Sequence, residues 1–320
     1  NATVNMYAYC TIIPKNDGKI KISSYDNGHD LFTDSVSELP IAGNNLILHR
    51  GVYNRVVREF NGGKPLSFEM STANDAPVGS GLGTSSTMVV AILEAFNRWL
   101  GLNLDAYQTA SLAYDVERND LKLAGGKQDQ YAAAFGGFNF IEFKKNGSVV
   151  VNALRLEKSR INELESSLLL YYGGYSRSSA KVQLELTKNI IDKQIRGAKN
   201  SESKTLQAML ALKEAAYDMK DYVFTGDMSA FAESLRRGWE QKKRTSDIVT
   251  NAELEKTINF ALSYGAEAVK VSGAGGGGFL LIYCNPVNRQ RLINETAMLS
   301  GKTYPVSFSK NGAQSWIIND

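Results

Sequence analysis

Hydrophobic and polar positions alternate in several short stretches of the first half of the chain and recur at helical spacing in others. The stretches YAYCTIIP and GKIKISSY alternate with a period of two, which predicts two strands joined by the turn KNDG. NNLILHRGVYNRVVREF has apolar positions at helical spacing and ends at Asn61-Gly62-Gly63, which predicts a helix with a glycine stop signal. LSFEMSTA predicts a further strand, and GFNFIEF with SVVVNALRL predicts a closing strand pair. The first half therefore mixes strands and helices.

The second half has a different pattern. SSLLLYYGG predicts a buried strand, and amphipathic helices are predicted over about 178–195, 203–223, 227–244 and 251–264. The strands EAVKVSG and FLLIYC, a helix near 286–299 and the strand KTYPVSFS follow. This order predicts an α+β domain with helices packed on one face of an antiparallel sheet. We place the boundary near Arg155–Glu163, which gives domains of residues 1–158 and 159–320.

Composition and charge narrow the classes of function. The chain of 320 residues is 43% hydrophobic and 22% charged, a balance typical of globular domains. Its net charge of +3 argues against a nucleic-acid polymer as partner, and no apolar run is long enough to predict a membrane span. Two cysteines far apart in the sequence predict a reducing cytoplasm. Only two histidines are present, which argues against a histidine-rich metal site and against a Ser-His-Asp triad.

The stretch APVGSGLGTSST at 76–87 is a glycine-rich turn in front of a helix that is apolar on nearly all sides. Its three glycines allow a tight turn and close approach of a ligand to the backbone. The hydroxyl residues that follow lie in the first turn of the helix, where free amides attract anions. A flexible turn capped by these hydroxyls is the alternative, but the buried helix favours a phosphate site. No lysine follows the last glycine, so the stretch is not a Walker A loop.

A second glycine run, KVSGAGGGGFLLIY, occupies 270–283. Read alone, Gly273–Gly278 fits the dinucleotide-binding pattern G-x-G-x-x-G. An apolar strand follows it, however, where a Rossmann unit requires a helix. A glycine hairpin between two strands is the plain structural interpretation.

The two runs, in this order and about 190 residues apart, resemble the second and third motifs of the GHMP kinases, which include galactokinase, homoserine kinase, mevalonate kinase and phosphomevalonate kinase. Thr84 stands where the family's second motif has its first serine. The resemblance implies a two-domain α/β (α+β) fold, with an N-terminal ribosomal-protein-S5-domain-2-like domain that binds ATP and a C-terminal ferredoxin-like α+β domain. It also implies ATP and Mg²⁺ as cofactors. The residues it assigns to the ATP phosphates are Pro77, Gly79, Ser80, Gly81, Leu82, Gly83, Thr84, Ser85 and Ser86.

The resemblance also implies roles for two acids. Glu117, in AYDVERNDL, would complete a magnesium site with Ser85, because hydroxyl and carboxylate oxygens suit Mg²⁺. Asp129, in AGGKQDQYAAAFGG, would be the catalytic aspartate that accepts or orients the proton of the attacking hydroxyl. Without the resemblance, Glu117 is a solvated helix acid and Asp129 a first-turn acid favoured by the helix dipole.

The stretch YYGGYSRSSAKV at 171–182 joins a strand to a predicted helix. Arg177, Ser178 and Ser179 form a second candidate anion site there, and a capped helix with an exposed arginine is the alternative. With GKQDQY and the segment SELP at Ser37–Pro40, this stretch makes the chain most similar, within the GHMP group, to bacterial kinases of D-glycero-D-manno-heptose 7-phosphate. The resemblance implies phosphorylation of the C1 hydroxyl, with Gly275 and Gly276 also at the substrate.

Two other functions stay open at this point. A kinase of an unphosphorylated sugar such as fucose would leave Arg177 a structural role, and a nucleotide-binding regulator of the same fold would lack turnover. The family's first motif, a Gly-Gly-Gly-(Ser/Thr)-Asp loop, is not found in the sequence, and the chain begins without methionine. We therefore expect natural residues upstream of Asn1. We further expect a cytoplasmic enzyme whose partners are ATP and a sugar phosphate, with a homodimer left open.

Overall fold

The computed structural model describes residues 1–26, 28–41, 43, 45–77, 79–174, 181–182, 184–185, 187–188 and 204–318. They fall into two units. The first consists of Asn1–Val78, Gly83–Leu154 and Ser309–Asp320, and the second of Gly79–Leu82 and Arg155–Phe308.

The division at Leu154 lies close to the boundary expected from the sequence, but the final stretch belongs with the first unit and not with the second. The reason is backbone pairing. The amide of Ser309 donates to the carbonyl of Thr3 at 2.8 Å, and the amide of Gly137 donates to the carbonyl of Ser309 at 3.0 Å. A continuous domain over 159–320 is therefore too simple a description of the second half.

The main sheet of the first unit is built from β1 (Ala8–Pro14), β2 (Lys19–Ser24), β3 (His29–Asp34) and β4 (Phe68–Asn74) in the order β1-β4-β2-β3. The predicted strands β1 and β2 exist but are not neighbours. After helix α1 (Ile47–Phe60), β4 enters between them, antiparallel to β1 and parallel to β2.

Helices pack on this sheet, and a strand pair follows them. The helices are α2 (Thr84–Leu100), α3 (Ala106–Asp115), which is continued by a π-helical segment (Val116–Asp120), and α4 (Gln128–Phe135). The strand pair is β5 (Asn139–Phe143) and β6 (Val149–Ala153).

The apolar helix expected after the glycine-rich turn is α2, and it ends at Gly101 in the left-handed region with φ 64°. Apart from Ser86, its buried residues are apolar, and the Phe96 ring packs edge-on against Phe68 with centroids 5.6 Å apart. Asp105 and Gln108 form a capping box at the start of α3.

The second unit begins with α5 (Lys158–Ser167) and β7 (Leu168–Tyr172). It continues with α6 (Lys204–Thr225), α7 (Met228–Lys243), α8 (Ala252–Ser263), β8 (Ala266–Val271), β9 (Phe279–Cys284), α9 (Pro286–Thr296) and β10 (Lys302–Pro305). Every strand pair is antiparallel, and the order β10-β7-β9-β8 is that of a ferredoxin-like sheet. This confirms the predicted α+β architecture.

One face of this sheet carries the main hydrophobic cluster of the second unit. Val269 and Val271 of β8 and Leu280 and Ile282 of β9 pack with Trp239 of α7. The predicted helix over 178–195 lies largely outside the described residues. Among the helices that are described, none combines the length and the hydropathy that a membrane crossing requires.

Candidate active site

The two glycine stretches meet within the second unit, where Gly79–Leu82 lies against the turn between β8 and β9. The amide of Phe279 donates to the carbonyl of Ser80 at 2.7 Å, and Ser80 is fully buried. A Cβ atom at Gly81 would lie 2.8 Å from the carbonyl oxygen of Ser272, and one at Gly278 would overlap the carbonyl of Ser80. Only glycine allows backbones to approach so closely. The two glycine stretches, although far apart in sequence, are thus held together by direct contacts between their backbones.

The rest of the second glycine run is also held by backbone contacts. The amide of Gly276 donates to the carbonyl of Val249 at 2.5 Å, and a Cβ at Gly275 would lie 2.9 Å from a Val249 methyl carbon. Gly275 and Gly276 are buried as whole residues. These glycines could therefore contact a ligand only through main-chain atoms. Their contact with the substrate stays a prediction.

In the first unit, the start of α2 lies beside Asp129. Gly83 is the N-cap residue with φ 77°, and a Cβ atom there would lie 3.0 Å from the carboxyl carbon of Asp129. As a glycine, Gly83 brings no capping side chain, so the first-turn amides of α2 are suited to an external anion. The geometry thus joins an anion-binding helix terminus to a carboxylate.

A buried polar cluster forms the second part of this region. Glu117 is 2% exposed, and its carboxylate accepts a hydrogen bond from the side-chain amide of Gln130. The same amide lies 3.1 Å from the hydroxyl of Ser86 and donates to it. Ser86 itself hydrogen-bonds with Glu117. The serine in contact with Glu117 is therefore Ser86, while Ser85 is exposed.

A π-helical segment brings Glu117 into the interior. The amide of Leu121 donates to the carbonyl of Val116 at 3.0 Å, a five-residue step that widens the helix at this point. Such segments are frequent at functional sites. Burial raises the pKa of Glu117, whereas the charge of Arg118 and the hydrogen bonds from Ser86 and Gln130 lower it.

Arg118 links Glu117 to the loop in front of α4. Its guanidinium lies 3.5 Å from the Glu117 carboxylate and donates to the carbonyls of Leu123 and Gly126, each at 3.3 Å. Burial raises the pKa of Asp129, and the positive charge of Arg118 lowers it. Arg118 therefore favours the ionised form of both acids.

These contacts bring together three of the predicted residues, Glu117, Asp129 and Ser86. Arg177, Ser178 and Ser179 lie outside the described residues. Sequence reasoning missed Gln130 and Arg118, although each directly follows an identified acid. A glutamine in the otherwise apolar helix face QYAAAF was the available indication that a buried partner exists.

The donor set decides what metal the site could hold. Within the described part of the chain, no three His, Cys, Asp or Glu side chains cluster as a metal site. Glu117 and the serine hydroxyls offer hard oxygen donors but too few for a complete cage. That set fits Mg²⁺, which keeps waters and phosphate oxygens as ligands.

Comparisons with known proteins identify the family of the chain. Residues 45–137 match the GHMP kinases N terminal domain, and residues 211–296 match the GHMP kinases C terminal region. The chain is 41% identical over 318 residues to a D-glycero-alpha-D-manno-heptose 7-phosphate kinase of Campylobacter jejuni, covering 99% of this chain and 90% of that protein. The chain belongs to the GHMP kinase family. GHMP kinases use ATP as a substrate, so this one is an ATP-dependent phosphotransferase.

Two further relatives show how the resemblance is distributed along this GHMP kinase. A solved D-glycero-D-manno-heptose 1-phosphate kinase from Bacteroides thetaiotaomicron superposes with a TM-score of 0.81 at 41% identity, covering 100% of this chain and 90% of that one. An L-fucokinase/L-fucose-1-P guanylyltransferase of Bacteroides fragilis is 28% identical over 206 residues, which is 64% of this chain and 21% of that protein. Similarity to the heptose phosphate kinases therefore extends over the whole chain, and similarity to the fucokinase over part of it.

Proposed function

We propose that this GHMP kinase transfers the γ-phosphoryl group of ATP to the C1 hydroxyl of D-glycero-D-manno-heptose 7-phosphate and forms the 1,7-bisphosphate. The observation that carries the chemistry is the carboxylate of Asp129 beside Gly83 at the start of α2. The choice of acceptor rests on 41% identity over 99% of the chain to a heptose 7-phosphate kinase. The product is suited to nucleotide-activated heptose synthesis for cell-surface glycans.

The ATP phosphates would bind along Gly79–Ser86. Amides of this glycine turn and of the α2 first turn donate to phosphate oxygens, and the helix dipole favours their negative charge. Mg²⁺, when bound, neutralises charge that develops on the transferring phosphoryl group. Ser85 and Glu117 would hold it, with Gln130 and Ser86 fixing the orientation of Glu117.

Asp129 would accept or orient the proton of the C1 hydroxyl. A carboxylate can do so only when ionised, and the charge of Arg118 favours that form against the effect of burial. Because Asp129 is a residue of α4 and Gly83 is the N-cap residue of α2, packing between these helices would fix the distance from the base to the phosphate-binding terminus.

The phosphate of the acceptor would be bound by Arg177 with Ser178 and Ser179, and Gly275 and Gly276 would line the sugar. A kinase of an unphosphorylated sugar such as fucose has weaker support, because the fucokinase match covers 64% of the chain. A regulator without turnover would have no use for both Asp129 and a buried, hydrogen-bonded Glu117. Exclusion of nucleic-acid polymers and membranes as partners stays a prediction, as do a homodimer and a cytoplasmic location.

The proposal is tested by ADP release from the purified protein with Mg²⁺, ATP and a panel of acceptors. The panel contains the heptose 7-phosphate, the heptose 1-phosphate, the free heptose and fucose. We expect rapid ADP release with the 7-phosphate and little with the 1-phosphate, whose C1 oxygen is already esterified. A new phosphorus resonance of an anomeric phosphate identifies the product. Turnover of fucose without turnover of the 7-phosphate contradicts the proposal.

A further inference from the structure

The side chain of Arg118 reaches from the π-helical segment to the loop that precedes α4. Its Nη1 donates to the carbonyl of Leu123 at 3.3 Å, and its Nε and Nη2 donate to the carbonyl of Gly126 at 3.4 Å and 3.3 Å. A Cβ atom at Gly125 would lie 2.5 Å from Nη2, so the guanidinium lies directly against the backbone of this glycine. One side chain therefore ties both ends of the loop 123–126 to the π-helical segment.

The chain folds back on the π-helical segment at this loop. The amide of Leu123 donates to the carbonyl of Glu117 at 2.9 Å. Helix α4 begins two residues after Gly126, and Asp129 is its second residue. Because the Gly126 carbonyl that Arg118 holds lies three positions before Asp129, the guanidinium fixes the point from which α4 starts.

The nearest cation to Asp129 along the chain, Lys127, is engaged elsewhere. Its ammonium donates to the carbonyl of Gly147 at 3.2 Å and lies 4.7 Å from the centre of the Tyr114 ring. Burial raises the pKa of Asp129, and the charge that lowers it is that of Arg118. The contacts that hold the loop and the charge that acts on the proposed base thus belong to one side chain.

This arrangement depends on the shape of a guanidinium. Its planar fork has several donors, so it can hold two carbonyl groups and also lie 3.5 Å from the carboxylate of Glu117. A lysine would supply the positive charge through a single flexible ammonium and could not hold both carbonyls in place. Substitutions can therefore separate the geometry from the charge.

We propose that Arg118 is a positioning residue for phosphoryl transfer, which keeps the Asp129 carboxylate beside Gly83 by holding the loop in front of α4. The inference rests on the proposed function, because Asp129 is the base assigned there. Arg118 acts through Asp129 and not by contact with a substrate.

The first measurement is a double-mutant cycle on kcat. Arg118→Gln should lower kcat by about 10²-fold, because displacement of a catalytic group by about 1 Å can cost that much. In the Asp129→Asn background the same substitution should lower kcat far less, since the base that Arg118 positions is already removed. The KM for ATP should change little. Equal losses in the two backgrounds, or a raised KM for ATP at unchanged kcat, overturn the proposal.

Arg55→Gln is the matched control. The guanidinium of Arg55 forms two hydrogen bonds of 2.8 Å with the carboxylate of Asp120, at the other end of the π-helical segment. Its loss loosens the same segment without touching the loop or the two acids. We expect a lower stability in urea and a kcat close to wild type. A loss of kcat as large as that of Arg118→Gln would make Arg118 a structural residue only.

Arg118→Lys keeps the charge and removes the fork. It should lower kcat, but only Arg118→Gln should also move the acid limb of the kcat–pH profile to higher pH, because only glutamine removes the charge that lowers the pKa of Asp129. Glu117, the other carboxylate that interacts with Asp129, is kept in both variants. A kcat of Arg118→Lys equal to wild type contradicts the positioning role.

Hydrogen–deuterium exchange measures the position of the loop without ATP, sugar or Mg²⁺. Peptides that cover residues 121–131 should exchange faster in Arg118→Gln and in Arg118→Lys than in wild type, because the loop loses its contacts with the guanidinium. Arg55→Gln should leave their exchange nearly unchanged. Wild-type exchange of these peptides in both Arg118 variants overturns the inference.

The two proposals can fail separately. If the protein phosphorylates only unphosphorylated sugars, the proposed function is wrong, and the same variants assayed with such a sugar still test Arg118. If the heptose 7-phosphate is turned over and the Arg118 variants behave as wild type, the proposed function stands and the positioning role is wrong.

Discussion

The polar cluster of the first unit and the glycine turn of the second unit handle charge in opposite ways. In the first unit, the buried carboxylate of Glu117 accepts a hydrogen bond from Gln130 and lies near the positive charge of Arg118. In the second unit, the ammonium of Lys242 donates to the main-chain carbonyl of Gly273, and neither Lys242 nor Lys270 forms an ion pair with an acid among the described residues. Buried charge that is satisfied internally can be kept ready for a metal or a proton. A buried ammonium without an acid loses its proton more readily, and burial accordingly lowers the pKa of Lys242 to about 7.

The strongest test of the first unit is removal of its base. Asp129→Asn should lower kcat by about 10²-fold to 10⁴-fold, because proton transfer by a positioned side chain is typically worth that much. The KM for ATP should change little, since the amide has nearly the shape of the carboxylate. Single-turnover and steady-state kinetics measure both. Asp34→Asn is the control, because it removes an exposed carboxylate that pairs with Lys19. A kcat close to wild type would make Asp129 a helix-start acid only.

In the second unit, the corresponding test adds a single methyl group. Gly278→Ala places a Cβ on the carbonyl of Ser80 and forces alanine into a φ of +89°, so both strain and overlap oppose folding. We expect a loss of at least about 2 kcal/mol in the free energy of unfolding, measured in urea, and a fall in kcat/KM for ATP.

Gly174→Ala is the matched control for that variant. Gly174 has a φ of +79°, and no atom of the described residues lies within 4 Å of its Cβ position, so its substitution carries the backbone strain alone, about 1–2 kcal/mol. Equal losses in the two variants would mean that the close approach of the glycine stretches adds nothing to stability.

Acid should affect the two units unequally, because both histidines of the chain belong to the first one. His49 is 5% exposed, its Nε2 lies 2.8 Å from the hydroxyl of Thr72, and burial lowers its pKa to about 4. Between pH 6.5 and 4, His49 binds a proton in the unfolded chain but stays neutral in the folded chain, because its pKa is lower there. Stability therefore falls as the pH drops through this window, by about 3 kcal/mol in total, and levels off below it.

Unfolding of the first unit in urea at a series of pH values measures this slope. His49→Gln should flatten it, whereas His29→Gln serves as the control and should leave it in place. A slope that survives the loss of His49 would assign the acid sensitivity to other groups.

The smallest effects concern the two serines. Ser85→Ala should raise the Mg²⁺ concentration needed for half-maximal activity if Ser85 is a ligand, and Ser86→Ala should act through the position of Glu117. Loss of a group that orients a metal ligand weakens metal affinity by about 10-fold to 100-fold. Mg²⁺ titrations at fixed ATP compare the two variants with Glu117→Gln. A normal magnesium requirement in Ser85→Ala together with a raised one in Ser86→Ala would move the metal contact to the buried serine.

Features set by a few adjacent residues could be predicted from the sequence. Helix α2 ends where Gly101 stops it, and the capping box of Asp105 and Gln108 depends on residues three positions apart. The order of elements in the second unit predicted its α+β architecture with an antiparallel sheet, and the resemblance to the GHMP kinases implied its ferredoxin-like fold. Such local signals need no knowledge of the rest of the chain.

Features that depend on distant partners were not predictable in the same way. Strand β4 separates β1 from β2, and no residue of their connecting turn indicates this. The π-helical segment that turns Glu117 towards Gln130 has no recognised sequence signal. The ammonium of Lys242 donates to the carbonyl of Gly273, which lies 31 residues further along the chain.

The path of the chain through Gly79–Leu82 limits how this protein can be divided into fragments that fold. These four residues belong to the second unit, although the first unit supplies the sequence on both sides of them. A gene fragment that begins at Arg155 would encode a second unit without the carbonyl of Ser80 that receives the Phe279 amide. A fragment that ends at Leu154 would lack the stretch that pairs with Thr3. Neither half is therefore a transferable module. A chimera of two relatives must exchange Gly79–Leu82 together with the second unit, and Ser309–Asp320 together with the first.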